Sequence, residues 1–483
     1  IEEVIEPLRA GRERMNKLNF KSYSLDKVFE IKGFFSDQKE DLLSDNMVSG
    51  ILTYKHDNIV LELFGNLNSL EDEIIGTVKA PDVIYGYTSE GKLLIINCYG
   101  FVYGTDHSPG FTLSKYHVKN FKIYDIYYQE LDKKFPEIID YLSEDQIFYY
   151  DFSFDNIEQW IGKSVFSKKK VNGELTVETK VSDYQTTKIF IPSRNLYIED
   201  RAIASIDYNY LNLSSRYYLR ISNDNDEITF THCHETACQI KNYIELITGT
   251  PLSFTEITFL SQFKLVNEGK RLPLIKGKYF FQHNRDGKIW EKYKYEDITL
   301  NALQDNFEEI MDQWFTKSEK LDFIIKQYTK NLHSVPYIED SLLSTIRNLE
   351  VYARNFHEEE VRLYEKESLK LRKNKKGSRK KNSHEKDSQL RSKLTFLFKN
   401  ADSRFKEIVI DSFSGFSYFI DSLIQTRNYY THGDVKSKYP KLLTDYNKMY
   451  EANTVLQRLL HYYLYQELRM NYNFTDFTYH DTI

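Results

Sequence analysis

The chain has 483 residues, 65 basic and 71 acidic, for a formal net charge of −6. That length suits two or three domains, each able to bury a core, and the charge balance gives no global pull toward nucleic acid or membrane, so any basic surface must be local. Three cysteines (Cys98, Cys233, Cys238) cannot build a disulfide framework, no apolar run reaches the length of a membrane span, and the charged start IEEVIEPLRAGRERMNKLNF lacks the apolar core of a secretory leader, so a reduced, cytoplasmic protein is expected.

The first part of the chain reads mostly as strands. DNIVLELFG alternates, with Ile59, Leu61 and Leu63 on one face. VIYGYTSEGKLLIINCYG reads as two strands joined at Ser89-Glu90-Gly91. HVKNFKIYDIYY, ELTVETKV, AIASIDYNYL and SSRYYLRISNDNDEITF continue the pattern. Two helical pieces interrupt it: FDNIEQWIG around Trp160, and HETACQIKNYIELITG, which Gly249 would cap. A late hairpin, KYFFQHNRDGKIWEKYKY, turns at Asp286-Gly287. The expectation for residues 1–296 is a β-rich sandwich or curved sheet under one or two helices. Within it, THCHETACQ gathers His232, Cys233, His234 and Cys238, atoms that suit zinc. The spacing matches no regular zinc pattern, so no metal is expected there.

Near residue 297 the apolar period changes from two to about 3.6. TLNALQDNFEEIMDQWF is amphipathic, and SLLSTIRNLEVYARNF carries Leu342, Ile346, Leu349 and Ala353 on one stripe. SGFSYFIDSLIQTRN carries Phe416, Ile420, Leu423 and Ile424, and the last pattern runs through Leu442, Tyr446, Met449, Leu456 and Leu460. Residues 297–483 therefore read as an all-α bundle of four or five helices, which makes the whole chain α+β and multidomain. His461, on the last helix, reads as a packing residue.

Residues 366–393, KESLKLRKNKKGSRKKNSHEKDSQLRSK, are strongly basic and aperiodic, which predicts a mobile loop. Its Arg372, Lys373, Lys375, Lys376, Arg379, Lys380 and Lys381 are either an electrostatic footprint for RNA or a solvated insertion. The chain holds no Walker-type loop, no dinucleotide fingerprint and no acidic set spaced for two-metal chemistry, so no cofactor is expected.

The stretch QTRNYYTHGD, residues 425–434, raises a geometric question. Arg427 continues the apolar stripe of its helix, where a guanidinium is costly unless it is paired or lines a cleft or subunit boundary. His432 lies five residues on, about 140° around and about 7.5 Å along an ideal helix. The two side chains diverge unless the helix breaks or a second copy supplies the partner. Imidazole moves protons near neutral pH, and guanidinium forks onto phosphate oxygens. RNA brings its own nucleophile, the 2′-hydroxyl. The bland alternative is a buried salt bridge for Arg427 and a helix cap for His432.

Arg427-Asn428-Tyr429-Tyr430-Thr431-His432 matches the Arg-Asn-x-x-x-His signature of HEPN domains, with SLLSTIRNLEVYARNF upstream and a long helix downstream. MVSGILTYKHDNIVLELFGNL, FSFDNIEQWIG and EEIMDQWF extend the likeness into the first half. The chain resembles the ApeA-type anti-phage HEPN ribonucleases over nearly its whole length. The resemblance implies a metal-independent endoribonuclease, acting in abortive infection on RNA, transfer RNA foremost, with active sites formed where two HEPN domains pack as a homodimer or higher assembly. It gives Arg427 the scissile phosphate, His432 the acid, base or transition-state role, and Asn428 the orientation of phosphate or Arg427. Products would carry a 2′,3′-cyclic phosphate and a 5′-hydroxyl. Glu350 would pair with the motif Arg; its own spacing equally allows an i+4 pair with Arg354. A related subgroup has a modified Tyr two residues after the His. Asp434 stands there in this chain, so that regulation is not expected. The β-rich domain would sense an infection trigger or restrain the nuclease. The rival expectation is a non-catalytic HEPN module for RNA binding or oligomerisation, with a ligand-sensing β domain.

Overall fold

Alternating strands fill the first part of this computed structural model. It describes residues 23–471 apart from 43, 68–80, 109–110, 128–138, 140–141, 143–144, 172–173, 180–183, 208–211, 224–227, 262–274, 284, 286–297, 335 and 376–384. The hairpin turn expected at Asp286-Gly287 lies outside the described residues. β1 (Phe29–Ser36), β2 (Val48–Lys55), β3 (Asn58–Leu63), β4 (Val83–Thr88), β5 (Lys92–Ser108) and β6 (Phe111–Tyr127) pair antiparallel in the order β6-β3-β2-β1-β4-β5. β5 also pairs with β6, so the six strands close into a barrel. Leu52, Tyr54, Ile59, Leu61, Leu63 and Ile84 are fully buried by the period-two alternation. Gly86 makes room for the core. A Cβ there would lie 2.6 Å from the Phe35 ring and 2.8 Å from the Phe34 carbonyl.

β6 changes partners along its second edge. Residues 114–117 pair with β3, and residues 120–124 pair with a strand at Ile275–Phe281. The later strands are β7 (Gln146–Ile147), β8 (Tyr149–Phe154), β9 (Phe166–Val171), β10 (Glu174–Thr179), β11 (Lys188–Ile191), β12 (Leu196–Asp207), β13 (Asn212–Ser222), β14 (Ile228–Thr229), β15 (Phe254–Ser261) and β16 (Ile275–Phe281). Six of them extend the sheet outward from β6 as β16-β15-β8-β13-β12-β11. Of the two expectations, sandwich or curved sheet, the structure is the curved one, a barrel with a sheet arm. Alternation fixes which face of a strand is buried, but not which strand lies beside it.

α1 (Ile157–Ile161) buries Trp160 completely. α2 (Phe230–Thr248) ends where Gly249, at φ 63°, donates its N–H to the Glu245 carbonyl. Contacts divide the chain into two units: residues up to Lys241 with Leu252–Gln304, and Asn242–Pro251 with the residues from Asp305 on. The first unit ends with the short α3 (Leu300–Leu303).

The described residues of the second unit hold seven further helices, more than the four or five expected. They are α4 (Phe307–Thr316), α5 (Ser318–Leu332), α6 (Ile338–Lys375), α7 (Glu385–Asn400), α8 (Ser403–Ser412), α9 (Phe416–His432) and α10 (Tyr446–Glu467). Leu342, Ile346, Leu349 and Ala353 of α6 are buried, as their stripe requires. Between α6 and α10, Thr345 donates to Asn453 Oδ1 (2.8 Å) and Asn453 donates to Ser341 Oγ (2.9 Å), a polar bridge that fixes their register. His461 is buried against Tyr328 and Tyr465, and burial pushes its imidazole down to about 4.

The loop expected at 366–393 is shorter than the sequence indicated. α6 continues through Lys375 and α7 begins at Glu385. Lys, Arg, Glu and Leu are good helix formers, and extending an anchored helix needs no new nucleus. Apolar periodicity reports a buried face, not where a helix stops. No helix among the described residues is long and apolar enough to cross a membrane.

Candidate active site

α9 carries the motif on its last turns. Phe419, Ile420, Leu423 and Ile424 bury one face, and Gly433 ends the helix at φ 63°, its N–H donating to the Tyr429 carbonyl at 2.9 Å. Asn428, 7% exposed, takes the core-side position. Arg427 is half-buried, and its Nη1 donates to Asn428 Oδ1 at 3.0 Å. His432, the last residue of α9, is exposed. Among the described residues no carboxylate pairs with Arg427. The cationic fork is therefore held by a neutral amide and keeps donors for an anion.

The chain beyond the motif folds back along α9. Gln425 Oε1 accepts the Lys441 N–H (2.7 Å), and the buried Thr426 Oγ1 accepts the Leu443 N–H (3.0 Å). Asp421 takes Lys441 Nζ at 2.5 Å and also Arg391 of α7. Burial alone would raise the Asp421 carboxyl, but its hydrogen bonds to Lys441 and Arg391 outweigh burial and hold it below the usual range. Asp434 accepts from Lys438 Nζ (2.8 Å) and the Tyr439 hydroxyl (2.9 Å), which closes the turn after His432. These bonds lower the Asp434 carboxyl, with smaller help from the His432 charge.

Burial, then the Glu339 charge, then Tyr429 and Tyr446 raise the Tyr430 phenol. Glu350 is elsewhere. It pairs with Lys393 of α7 at 3.0 Å, not with Arg427 or Arg354. α7, unread in the sequence, brings Lys393 to it. Arg372, Lys373 and Lys375 sit on the last turns of α6, while Lys376, Arg379, Lys380 and Lys381 lie outside the described residues.

The His/Cys cluster has a different fate. Cys233 is fully buried, which pushes its thiol up. His234 Nδ1 bonds the Tyr150 hydroxyl at 2.7 Å, and burial followed by the Lys122 charge pushes its imidazole down to about 4. Among the described residues no three His, Cys, Asp or Glu side chains gather as a metal-binding set.

One feature of the first unit has no motif to announce it in the sequence, a cavity of about 870 Å³ over the polar face of β13, β8, β15 and β16. On it Asp151 takes Arg220 in a two-pronged pair (2.7 and 2.8 Å), with the guanidinium 3.7 Å over the Tyr149 ring. Glu256 is shared by Lys278 (2.8 Å) and Arg216 (3.8 Å). The polar members of the alternating strands were the available signal, but their pairing depends on strand order.

Two family models match the chain. Residues 30–314, more than half of it, match the ApeA N-terminal domain 1, and residues 343–474, motif included, match the Apea-like HEPN. No curated protein matches it. The barrel with its sheet arm and the helical unit bearing Arg427, Asn428 and His432 are thus the two halves of one architecture, and the chain belongs to the ApeA family of anti-phage HEPN proteins.

Proposed function

We propose that the protein is an endoribonuclease of abortive infection that cleaves RNA, transfer RNA foremost, by attack of the substrate's own 2′-hydroxyl. The observation that carries this reading is the end of α9. A half-buried guanidinium without a carboxylate partner among the described residues is tethered to Asn428, and an exposed imidazole ends the same helix. Arg427 takes the phosphate oxygens, and Asn428 orients the fork. The 2′-oxygen bonds to phosphorus and gives its proton to a base. The P–O5′ bond breaks, and the leaving oxygen takes a proton. His432 serves one of these transfers or stabilises the charge between them. The products carry a 2′,3′-cyclic phosphate and a 5′-hydroxyl.

Arg427 and His432 diverge on one helix by their five-residue spacing. A second copy facing the first brings an Arg from one protomer to a His from the other, so the active form is a homodimer or a higher assembly of dimers. Arg372, Lys373, Lys375, Lys376, Arg379, Lys380 and Lys381 add sequence-independent attraction for RNA. The cavity in the first unit favours a sensing role for that unit, with an infection-linked ligand as the trigger.

The test is cleavage of bulk transfer RNA by the purified full chain in excess EDTA, beside His432→Ala, with the new ends mapped. Cleavage by the parent alone, leaving cyclic phosphate ends, is expected. Equal cleavage by both proteins, or 3′-hydroxyl ends, would overturn the reading.

A further inference from the structure

The cavity of the first unit holds more positive charge than its own folding uses. Arg216, Tyr218 and Arg220 alternate along β13 with the buried Tyr217 and Leu219, so they share the face that floors the cavity. Register puts Glu199 of β12 and Asp151 of β8 on either side of Arg220. The carboxylates of this face are already taken: Glu199 by Arg201 (2.6 Å), Asp151 by the two-pronged Arg220, and Glu256 by Lys278 (2.8 Å). Arg216 is left over. It reaches Glu256 only at 3.8 Å, and its side chain is 55% exposed. Lys276 also lines the cavity and has no carboxylate partner among the described residues. Ile203, opposite Arg216 across the β12–β13 ladder, is 53% exposed and lines the cavity too. A spare guanidinium, an open aliphatic side chain and the Tyr218 ring are thus cross-strand or same-face neighbours. The other acids of the lining, Asp26 and Glu158, come from the turn before β1 and from α1, off the floor.

We propose that this cavity binds a nucleoside phosphate, with the phosphate on Arg216, the base against Tyr218 and Ile203, and the sugar hydroxyls toward the wall carboxylates. The inference rests on the sensing role read from the same cavity and deepens it by naming the class of ligand. A guanidinium forks onto phosphate oxygens. An aromatic face takes the π-face of any base, and Asp or Glu accepts from ribose hydroxyls. The segregation of charge fits this occupant, with spare cations on the floor and acids on the walls. Inorganic phosphate would use the cations alone, and an aliphatic acid would leave the ring and the wall acids idle. A volume of about 870 Å³ suits a small molecule rather than a long polymer. A free nucleotide and the 5′-phosphorylated end of an RNA chain share this chemistry, and the test separates them.

The test is calorimetric titration of the full chain with each of the four ribonucleoside 5′-monophosphates. At least one should bind. Arg216→Ala and Tyr218→Ala should each weaken it about tenfold, and Tyr218→Phe, which keeps the ring, should restore it. Arg216 is more than half exposed, so its loss should leave the melting temperature nearly unchanged. Failure of all four nucleotides to bind overturns the site. So does equally tight binding of inorganic phosphate, or a loss of binding in Arg427→Ala but not in Arg216→Ala, which would put the ligand at the motif. A 5′-phosphorylated oligoribonucleotide with every 2′-oxygen methylated is the second titrant. Binding that Arg216→Ala weakens makes the chain end the source, and insensitivity to that variant leaves the free nucleotide. The transfer RNA cleavage assay judges the sensing role separately: a nucleotide that binds through Arg216 and leaves the cleavage rate unchanged removes that role and keeps the site.

Discussion

The first turns of α2 and the last turn of α9 look alike as sequence and behave as opposites in the structure. Both carry histidine with other reactive side chains at short spacing. At the start of α2 the chemistry is spent on folding: Cys233 is buried, and His234 is bonded to the Tyr150 hydroxyl among the rings of Phe230 and Tyr279. At the end of α9 the same kind of chemistry is left open. His432 is exposed, and the half-buried Arg427 has a neutral amide rather than a carboxylate against its guanidinium. The difference lies in what the polar atoms already hold.

A crossed pair of alanine variants tests the comparison at its widest. His432→Ala should lower the RNA cleavage rate by about 10²- to 10⁴-fold and leave the melting temperature nearly unchanged, as exposed positions do. His234→Ala should do the reverse, holding the rate while costing about 2–4 kcal/mol, because it opens a cavity and strands the buried Tyr150 hydroxyl. Urea unfolding and a cleavage assay on the same preparations read both effects. Loss of cleavage in His234→Ala at full stability would break the contrast.

Three histidines packed into the fold, His461 buried and His234 and His283 half-buried, give a pH signature of the same contrast. Burial pushes His234, His283 and His461 from the usual 6.5 down to about 4. The unfolded chain therefore binds their protons first as the pH falls. Stability should be full above about 6.5 and decline as pH drops toward about 4, since each tenfold difference in proton affinity between the folded and unfolded chain is worth about 1.4 kcal/mol. Denaturation midpoints at pH 7, 6 and 5 measure the slope, and His461→Leu should remove its share. A midpoint that stays level from pH 7 to 5 would show that these imidazoles are not buried as neutral groups.

Much of this was legible in the residues. The alternation of Ile59, Leu61 and Leu63, the cap at Gly249 and the stripe from Leu342 to Ala353 each follow from a local period or a backbone preference. The motif helix and its Gly433 stop were legible for the same reason. What escaped depends on partners distant in sequence. Barrel closure needs β6 to split one edge between β3 and β16, and no local pattern records that. The clasp of Asp421 by Arg391 and Lys441 joins three separate segments. The true ends of α6 and α7 were hidden because a basic, solvated helix has no apolar period to display.

Glu350 gives the smallest expected effect and the sharpest check on how the motif Arg is held. Its carboxylate pairs with Lys393 of α7 at 3.0 Å, and the two side chains are 30% and 18% exposed. A pair so accessible is worth about 0–1 kcal/mol, because water screens the attraction and ordering two long side chains offsets part of the gain. Glu350→Gln keeps the shape and removes only the charge. It should lower stability by less than about 1 kcal/mol and leave cleavage within about twofold, since Arg427 is positioned by Asn428 and not by this carboxylate. Asn428→Ala supplies the contrast in the same assay, because it removes the one side chain among the described residues that holds the fork. A large loss of cleavage in Glu350→Gln with stability intact would mean that the carboxylate reaches a motif Arg after all. That Arg would have to belong to a facing copy, because within one chain Glu350 is committed to Lys393.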